Sequence, residues 1–197
     1  AGGLRAVRGC AVDPLAVWNG DALAPVPWEA LRVEHRRKGA QLSWLLVPHP
    51  GGPWNAVWLD DEGWILPPGQ RGRGPYHFTG AALWSEVALG LIPDDGPADT
   101  KRDVLPRLER HLGVVVDPFP WIEVGTPDQL IDAAARLAPD AEGRLPGSYV
   151  HPTAQPTGIY RRCVLGPGAV PPLGLEDVNA LWFDQGGHQV RLNLEIP

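Results

Sequence analysis

The sequence contains no methionine and only two cysteines among its 197 residues. Cys10 and Cys163 lie far apart and match no metal-ligand spacing. We therefore interpret them as free structural thiols of a cytoplasmic protein. Residues 3–9 read as a helix with no strand before it, and we expect that Ala1 is not the natural start of the protein.

Long apolar runs and an excess of positive charge are also missing. No run reaches the ~20 residues that a membrane-spanning helix needs, and no secretory leader is recognisable. The net charge of −6 argues against a nucleic-acid-binding surface. We accordingly expect neither a membrane nor a nucleic acid as a partner.

The remaining composition is that of a globular protein. Hydrophobic residues make up 44% and charged residues 20% of the chain, as in ordinary folded domains. The length allows one sizeable domain and a short appendage. We predict an α/β domain over 1–138, a Pro- and Gly-rich linker at 139–147 and a short β appendage at 148–197.

Apolar patterns predict strands that alternate with helices. Such alternation predicts an α/β layer architecture. The expected elements are strands at 14–18, 42–47 and 76–84, a hairpin at 55–59 and 64–66, and helices at 27–38 and 103–112.

Local signals specify two further segments. Thr126 and Gln129 form a capping-box pattern around Pro127, which predicts a helix with Leu130, Ala133, Ala134 and Leu137 on its buried side. Val164 and Val170 are six positions apart, a spacing typical of a parallel β-helix coil. An irregular tail is the alternative for this appendage.

Two acidic residues follow predicted strands. Asp21 ends Trp18-Asn19-Gly20-Asp21, and Glu123 precedes Gly125-Thr126-Pro127. An α/β sheet can bring two such acids to the carboxyl ends of its strands, where ligands bind. A facing pair of carboxylates suits a divalent metal and a phosphate ester.

The order of these motifs resembles that of the sugar-1-phosphate nucleotidyltransferases, and most of all the mannose-1-phosphate guanylyltransferase-like proteins. The resemblance covers about residues 1–138 and implies an α/β fold with a Rossmann-like mixed sheet flanked by helices, of the nucleotide-diphospho-sugar transferase type and incomplete at the N-terminus. The matching stretches are Ala1-Gly2-Gly3-Leu4, Trp18-Asn19-Gly20-Asp21, Trp54 to Trp64, Tyr76-His77-Phe78-Thr79-Gly80, Asp103 to Leu108 and Trp121 to Leu130.

The resemblance implies an activity and roles for particular residues. The activity is the formation of an NDP-sugar, GDP-mannose as the first expectation, and pyrophosphate from a nucleoside triphosphate and a sugar 1-phosphate. Asp21 is then the catalytic residue that binds Mg²⁺, and Glu123 stands where the family usually has a second metal-binding Asp. Gly2 and Gly3 correspond to a loop at the nucleotide base. The sugar pocket corresponds to Asn55, Thr79 and Gly80.

Departures from the family pattern keep alternatives open. The family's Gly-rich triphosphate loop is missing from this sequence, and Leu66-Pro67-Pro68 replaces the acid-Lys-Pro segment that holds the sugar in many members. An N-terminally truncated transferase, an inactive sugar-nucleotide-binding or regulatory paralogue, and one half of a split enzyme all fit. We also expect any homo-oligomer to form through the C-terminal β region.

Overall fold

The computed structural model describes residues 2–9, 13–52, 54–137 and 148–193. It divides the chain into two compact units, Ala1–Trp121 and Ile122–Pro197. The linker predicted at 139–147 lies outside the described residues.

The first unit is built on a mixed sheet of five strands with helices packed on it. The sheet order is β1-β5-β3-β6, with β4 paired to β5. Strand β3 runs parallel to β6 and antiparallel to β5, and β1 is antiparallel to β5. The elements are β1 (Leu15–Trp18), β2 (Ala22–Leu23), α1 (Trp28–Lys38), β3 (Leu42–Pro48), β4 (Val57–Leu59), β5 (Arg73–Trp84), α2 (Glu86–Gly90) and β6 (His111–Val115).

Both faces of this sheet are covered because the central strands are apolar on each side. Alternate residues of a strand point to opposite faces. On one face, Leu31 of α1 packs with Leu45 of β3 and Leu83 of β5. On the other face, Leu46 packs in a cluster with Leu89 of α2. Strand β3 is consequently buried along almost its whole length.

Helix α1 ends where the sequence predicts. Its last turn carries Arg36, Arg37 and Lys38, which suit the negative end of the helix dipole. Gly39 then adopts φ +60; its N–H donates to the Arg36 carbonyl, and the N–H of Ala40 donates to the His35 carbonyl. A residue without Cβ takes this left-handed conformation at little cost.

Most predicted elements of this unit are confirmed. The strands at 14–18, 42–47 and 76–84, the helix at 27–38 and the hairpin after β4 are present; Leu59 bridges Ile65 across the hairpin turn. The predicted helix at 3–9 is instead a 3₁₀ turn at Gly2–Val7.

The helix predicted at 103–112 is wrong. The structure has a π-helical turn at Thr100–Val104 and a 3₁₀ turn at Leu105–Arg107, and β6 begins at His111. Pro106 has no N–H to continue an α-helical ladder. Pairing of β6 with β3 then holds Leu112 in a strand.

The second unit combines a helix with stacked β coils. Strands β8, β10 and β12 pair in parallel, β9 pairs in parallel with β11, and β13 closes the unit as an antiparallel partner of β12. Parallel stacking of successive coils is the arrangement found in β-helices. The elements are β7 (Ile122–Glu123), α3 (Pro127–Leu137), β8 (Tyr149–Val150), β9 (Ile159–Arg161), β10 (Val164–Leu165), β11 (Glu176–Val178), β12 (Ala180–Gln185) and β13 (His188–Asn193).

The capping box at the start of α3 is confirmed. The Gln129 side-chain oxygen accepts from the Thr126 N–H at 3.0 Å, and the Thr126 hydroxyl accepts from the Gln129 N–H at 3.3 Å. Of the positions predicted to be buried, Ala133 and Ala134 are confirmed and Leu130 is not, while the side chain of Leu137 lies outside the described part of the chain. Leu130 is 36% exposed, whereas Ile131 is buried together with Ala133 and Ala134.

The interior of the β coils contains one carboxylate. Asp177 accepts from the indole N–H of Trp182 and from Nε of Arg191, each at 2.7 Å. The hydrogen bond from Arg191 is the main reason why the pKa of Asp177 lies below its usual value. Cys163 is a buried free thiol in the same core.

Candidate functional site

A bulge in β5 shapes the candidate site. Trp44 of β3 pairs with Ala82, but Leu46 pairs with Phe78, so extra residues of β5 lie between the two pairs. Gly80 stands in this bulge with φ +90. Bulges of this kind re-aim side chains and are frequent beside functional sites.

The bulge brings Gly80 against Asn19, which follows β1. The Asn19 N–H donates to the Gly80 carbonyl at 3.0 Å. A Cβ on residue 80 would lie 2.9 Å from the Cβ of Asn19, a distance that side chains essentially never adopt. Position 80 thus needs glycine both for its conformation and for this close approach.

A cleft of about 470 Å³ opens beside these two residues. Alternate residues of β5 reach it because they share one face of the sheet. The cleft is lined by Gly3, Leu4, Val17, Asn19, Trp44, Phe78, Gly80, Ala82, Trp84, Asp99, Thr100 and Lys101. Most of these residues are apolar, and the polar ones come from the β1 end and from the turn at 99–101.

Aromatic rings form much of the wall. Trp44 stacks on Phe78 with ring centroids 4.4 Å apart, and His111 meets Trp44 edge-on, also at 4.4 Å. Burial lowers the pKa of His111 to about 3. The imidazole behind Trp44 is therefore neutral at pH 7.

The 3₁₀ turn at Gly2–Val7 is anchored beside the cleft. Arg5 donates from Nε to the Pro93 carbonyl at 2.6 Å and from Nη2 to the Asp95 carbonyl at 2.8 Å. The Gly2 N–H also donates to the carbonyl of Ala98 at 3.2 Å. These bonds fix the glycines relative to the segment that leads into the 99–101 turn.

The cleft contains some of the residues predicted from the sequence. Gly3 and Gly80 line it, and Gly2 adjoins it through its bond to Ala98. Thr79 is only 2% exposed; its hydroxyl donates to the Leu45 carbonyl, and its own carbonyl accepts from the indole N–H of Trp121 at 2.9 Å. The Thr79 side chain is thus used within the sheet.

The other predicted residues are outside the cleft lining. Asp21 is exposed in the turn after β1, and Asn55 is exposed in the loop before β4. Glu123 is partly buried in β7 of the second unit. No group of three His, Cys, Asp or Glu side chains suited to a metal occurs in the described residues.

A second aromatic group lies next to Asn55 and Thr79. His77 contacts Trp54 at 5.2 Å, Trp121 at 4.9 Å and His49 at 6.2 Å between ring centroids. Burial lowers the pKa of His77, with a smaller contribution from His49. This aromatic cluster packs against the loop that carries Asn55.

Sequence reasoning missed the aromatic wall and the 99–101 turn. Trp44, Phe78 and Trp84 look like ordinary core residues in a strand pattern. Lys101 lies just before the segment predicted as a helix at 103–112, and no sequence pattern marks it as a site residue. The sequence signal that could have found the wall is the alternation of Phe78, Gly80 and Ala82, which places these three residues on one face of β5.

Comparisons with solved structures find the same fold in several proteins. HddC from Yersinia pseudotuberculosis, crystallised with GMP-PN, has a TM-score of 0.57 and 15% identity over 70% of this chain and 61% of its own. A Thermus thermophilus protein described as a mannose-1-phosphate geranyltransferase has a TM-score of 0.57 and 16% identity over 96% and 68%. A Bacillus anthracis protein provisionally named a glucose-1-phosphate thymidylyltransferase has a TM-score of 0.50 and 17% identity over 72% and 63%.

These similarities lie in the structure and not in the sequence. No protein-family model matches the chain, and no curated protein matches it significantly by sequence. The chain spans about three fifths of the length of HddC. Within the described residues, no helix is long and apolar enough to cross a membrane. The chain has the mixed α/β fold of the nucleotide-diphospho-sugar transferases.

Proposed function

We propose that this chain belongs to a nucleotidyltransferase that forms an NDP-sugar and pyrophosphate from a nucleoside triphosphate and a sugar 1-phosphate. The main support is the meeting of two distant motifs. Asn19, from Trp18-Asn19-Gly20-Asp21, and Gly80, from Phe78-Thr79-Gly80, touch at a cleft in a nucleotide-diphospho-sugar transferase fold.

The reaction requires positioning and charge neutralisation. A phosphate oxygen of the sugar 1-phosphate attacks the α-phosphorus of the nucleotide, and the bond to the β-phosphate oxygen breaks as pyrophosphate leaves. No covalent enzyme intermediate is needed. The rigid Asn19–Gly80 contact and the anchored Gly2–Gly3 turn would hold the reactants in place, which is the main contribution of the protein to such chemistry.

The acids fit a role in holding Mg²⁺. Asp21 is exposed and has no hydrogen-bond or ion-pair partner among the residues that the structure describes, so both carboxylate oxygens are available. Glu123 is the second proposed ligand, a pairing that comes from the sequence order. Mg²⁺ commonly takes one or two carboxylates and completes its shell with water and substrate phosphates. Once bound, it would neutralise charge on the phosphates.

The test is turnover by the natural gene product that contains this chain. We expect Mg²⁺-dependent release of pyrophosphate that requires both a nucleoside triphosphate and a sugar 1-phosphate. Asp21→Asn should lower kcat at least ~100-fold, because a metal ligand is lost while the side-chain size is kept.

Asp61→Asn is the matched control. Asp61 is an exposed aspartate in the hairpin turn outside the cleft, and we expect its variant to retain full activity. Equal activity of Asp21→Asn and the unmodified protein would contradict the metal assignment. Binding of sugar nucleotides without turnover would favour the inactive paralogue.

A further inference from the structure

The lining of the cleft includes a lysine, Lys101, whose ammonium group forms no ion pair with the residues that the structure describes. Lys101 is exposed, lines the cleft and has no hydrogen-bond or ion-pair partner within the described parts of the chain. In the same turn, the Arg102 guanidinium pairs with the Asp103 carboxylate at 2.7 Å. That pair holds the pKa of Asp103 at about 2. Arg102 and Asp103 thus neutralise each other. The Asp99 carboxylate also lines the cleft, but it accepts from the Arg102 backbone N–H and forms no ion pair with Lys101 among the described contacts.

The turn that carries Lys101 is fixed by its own hydrogen bonds. The Asp99 carboxylate accepts from the Arg102 N–H at 2.9 Å, and the Asp103 carboxylate accepts from the Asp99 N–H at 2.8 Å. Arg102 also donates to the Pro97 carbonyl at 3.0 Å. Lys101 therefore extends from a rigid backbone, and only its side chain must be ordered when a ligand binds.

Two neutral donors accompany this charge in the cleft. The Thr100 hydroxyl and the Asn19 side-chain amide both belong to the lining and make no hydrogen bond to another described residue. A cation with adjacent hydroxyl and amide donors matches the oxygens of a phosphate group. The same lining includes the aromatic residues Trp44, Phe78 and Trp84, which suit the C–H face of a sugar ring.

We propose that Lys101, with Thr100 and Asn19, binds the phosphate of the sugar 1-phosphate. This inference rests on the proposed function and extends it by naming a residue that determines substrate specificity. A nucleotide phosphate has the same chemistry, so the experiment compares the two sources.

The experiment measures binding by the full chain with mannose 1-phosphate, glucose 1-phosphate and GMP as probes. Lys101→Gln should weaken binding of at least one sugar 1-phosphate roughly 10- to 100-fold, because a charge-assisted hydrogen bond is lost. Binding of the free sugar should stay the same. Lys101→Arg should restore much of the affinity and so separate loss of charge from loss of packing.

Arg36→Gln is the matched control, because it removes one positive charge from an exposed position of α1 outside the cleft. It should leave sugar 1-phosphate binding unchanged. Circular dichroism of Lys101→Gln should match that of the unmodified chain, since the side chain makes no contact that folding needs.

The outcomes separate this inference from the proposed function. Unchanged sugar 1-phosphate affinity in Lys101→Gln, or weaker binding of GMP alone, would overturn the role of Lys101, while turnover that depends on Asp21 would still support the transferase. If no sugar 1-phosphate binds the unmodified chain, the role of Lys101 is overturned, and turnover by the natural gene product decides the proposed function separately.

Discussion

At the residue scale, the site depends most on Gly80, because no larger side chain fits at this position. Gly80→Ala should destabilise the fold by about 1–3 kcal/mol, because alanine at φ +90 is strained and its Cβ would meet Asn19. Urea denaturation measures this change. Gly90→Ala is the control: a Cβ there meets no atom within 4 Å, so it should change stability by less than about 1 kcal/mol. Equal effects of the two variants would contradict the close approach at Asn19.

Also at the residue scale, burial of His111 should make the free energy of unfolding decrease as the pH falls. Its pKa is lowered by burial to about 3 in the folded protein, while an unfolded histidine titrates near its ordinary value of ~6.5. Between these values the unfolded chain binds the extra proton, so the folded state loses up to about 1.4 kcal/mol per pH unit as the pH falls.

The measurement is urea unfolding of the unmodified chain and of His111→Phe between pH 7 and pH 4. The variant cannot bind that proton and should lose less stability over this range. The same loss in both proteins would show that burial of His111 does not determine the acid response.

At the element scale, the C-terminal coils depend on the buried carboxylate of Asp177. Asp177→Asn should destabilise the protein by about 1–3 kcal/mol, because the buried side chain would lose its charge-assisted hydrogen bonds from Trp182 and Arg191. Asp132→Asn breaks the exposed pair with Arg162 and should cost no more than about 1 kcal/mol. Thermal unfolding compares the two, and similar losses would contradict the importance of burial.

Elements with local signals could be predicted from the sequence. The capping box of Thr126 and Gln129 and the Gly39 stop of α1 work through neighbouring atoms, so their residues suffice. The segment at 103–112 could not be predicted in this way, because its apolar residues also fit a helix. Its strand forms through pairing with β3, which is distant in the sequence.

At the scale of the whole molecule, the order of the motifs carried more information than any one of them. The order indicated the fold, which the structural comparisons bear out. The cleft could not be predicted, because it depends on a bulge that places Gly80 against Asn19 and on a turn that brings Lys101 to the same place. The metal site at Asp21 and Glu123 and self-association through the C-terminal β unit stay predictions.

The reaction itself tests the account most directly. The natural gene product would be incubated with Mg²⁺, nucleoside triphosphates and a sugar 1-phosphate whose phosphate carries heavy oxygen (¹⁸O) at its non-bridging positions, and the products would be identified by mass. We predict that the label appears in an NDP-sugar and that the released pyrophosphate is unlabelled. Label that stays in the sugar 1-phosphate with every nucleotide and sugar tested, while NDP-sugars still bind, would contradict the transferase and identify a binding protein.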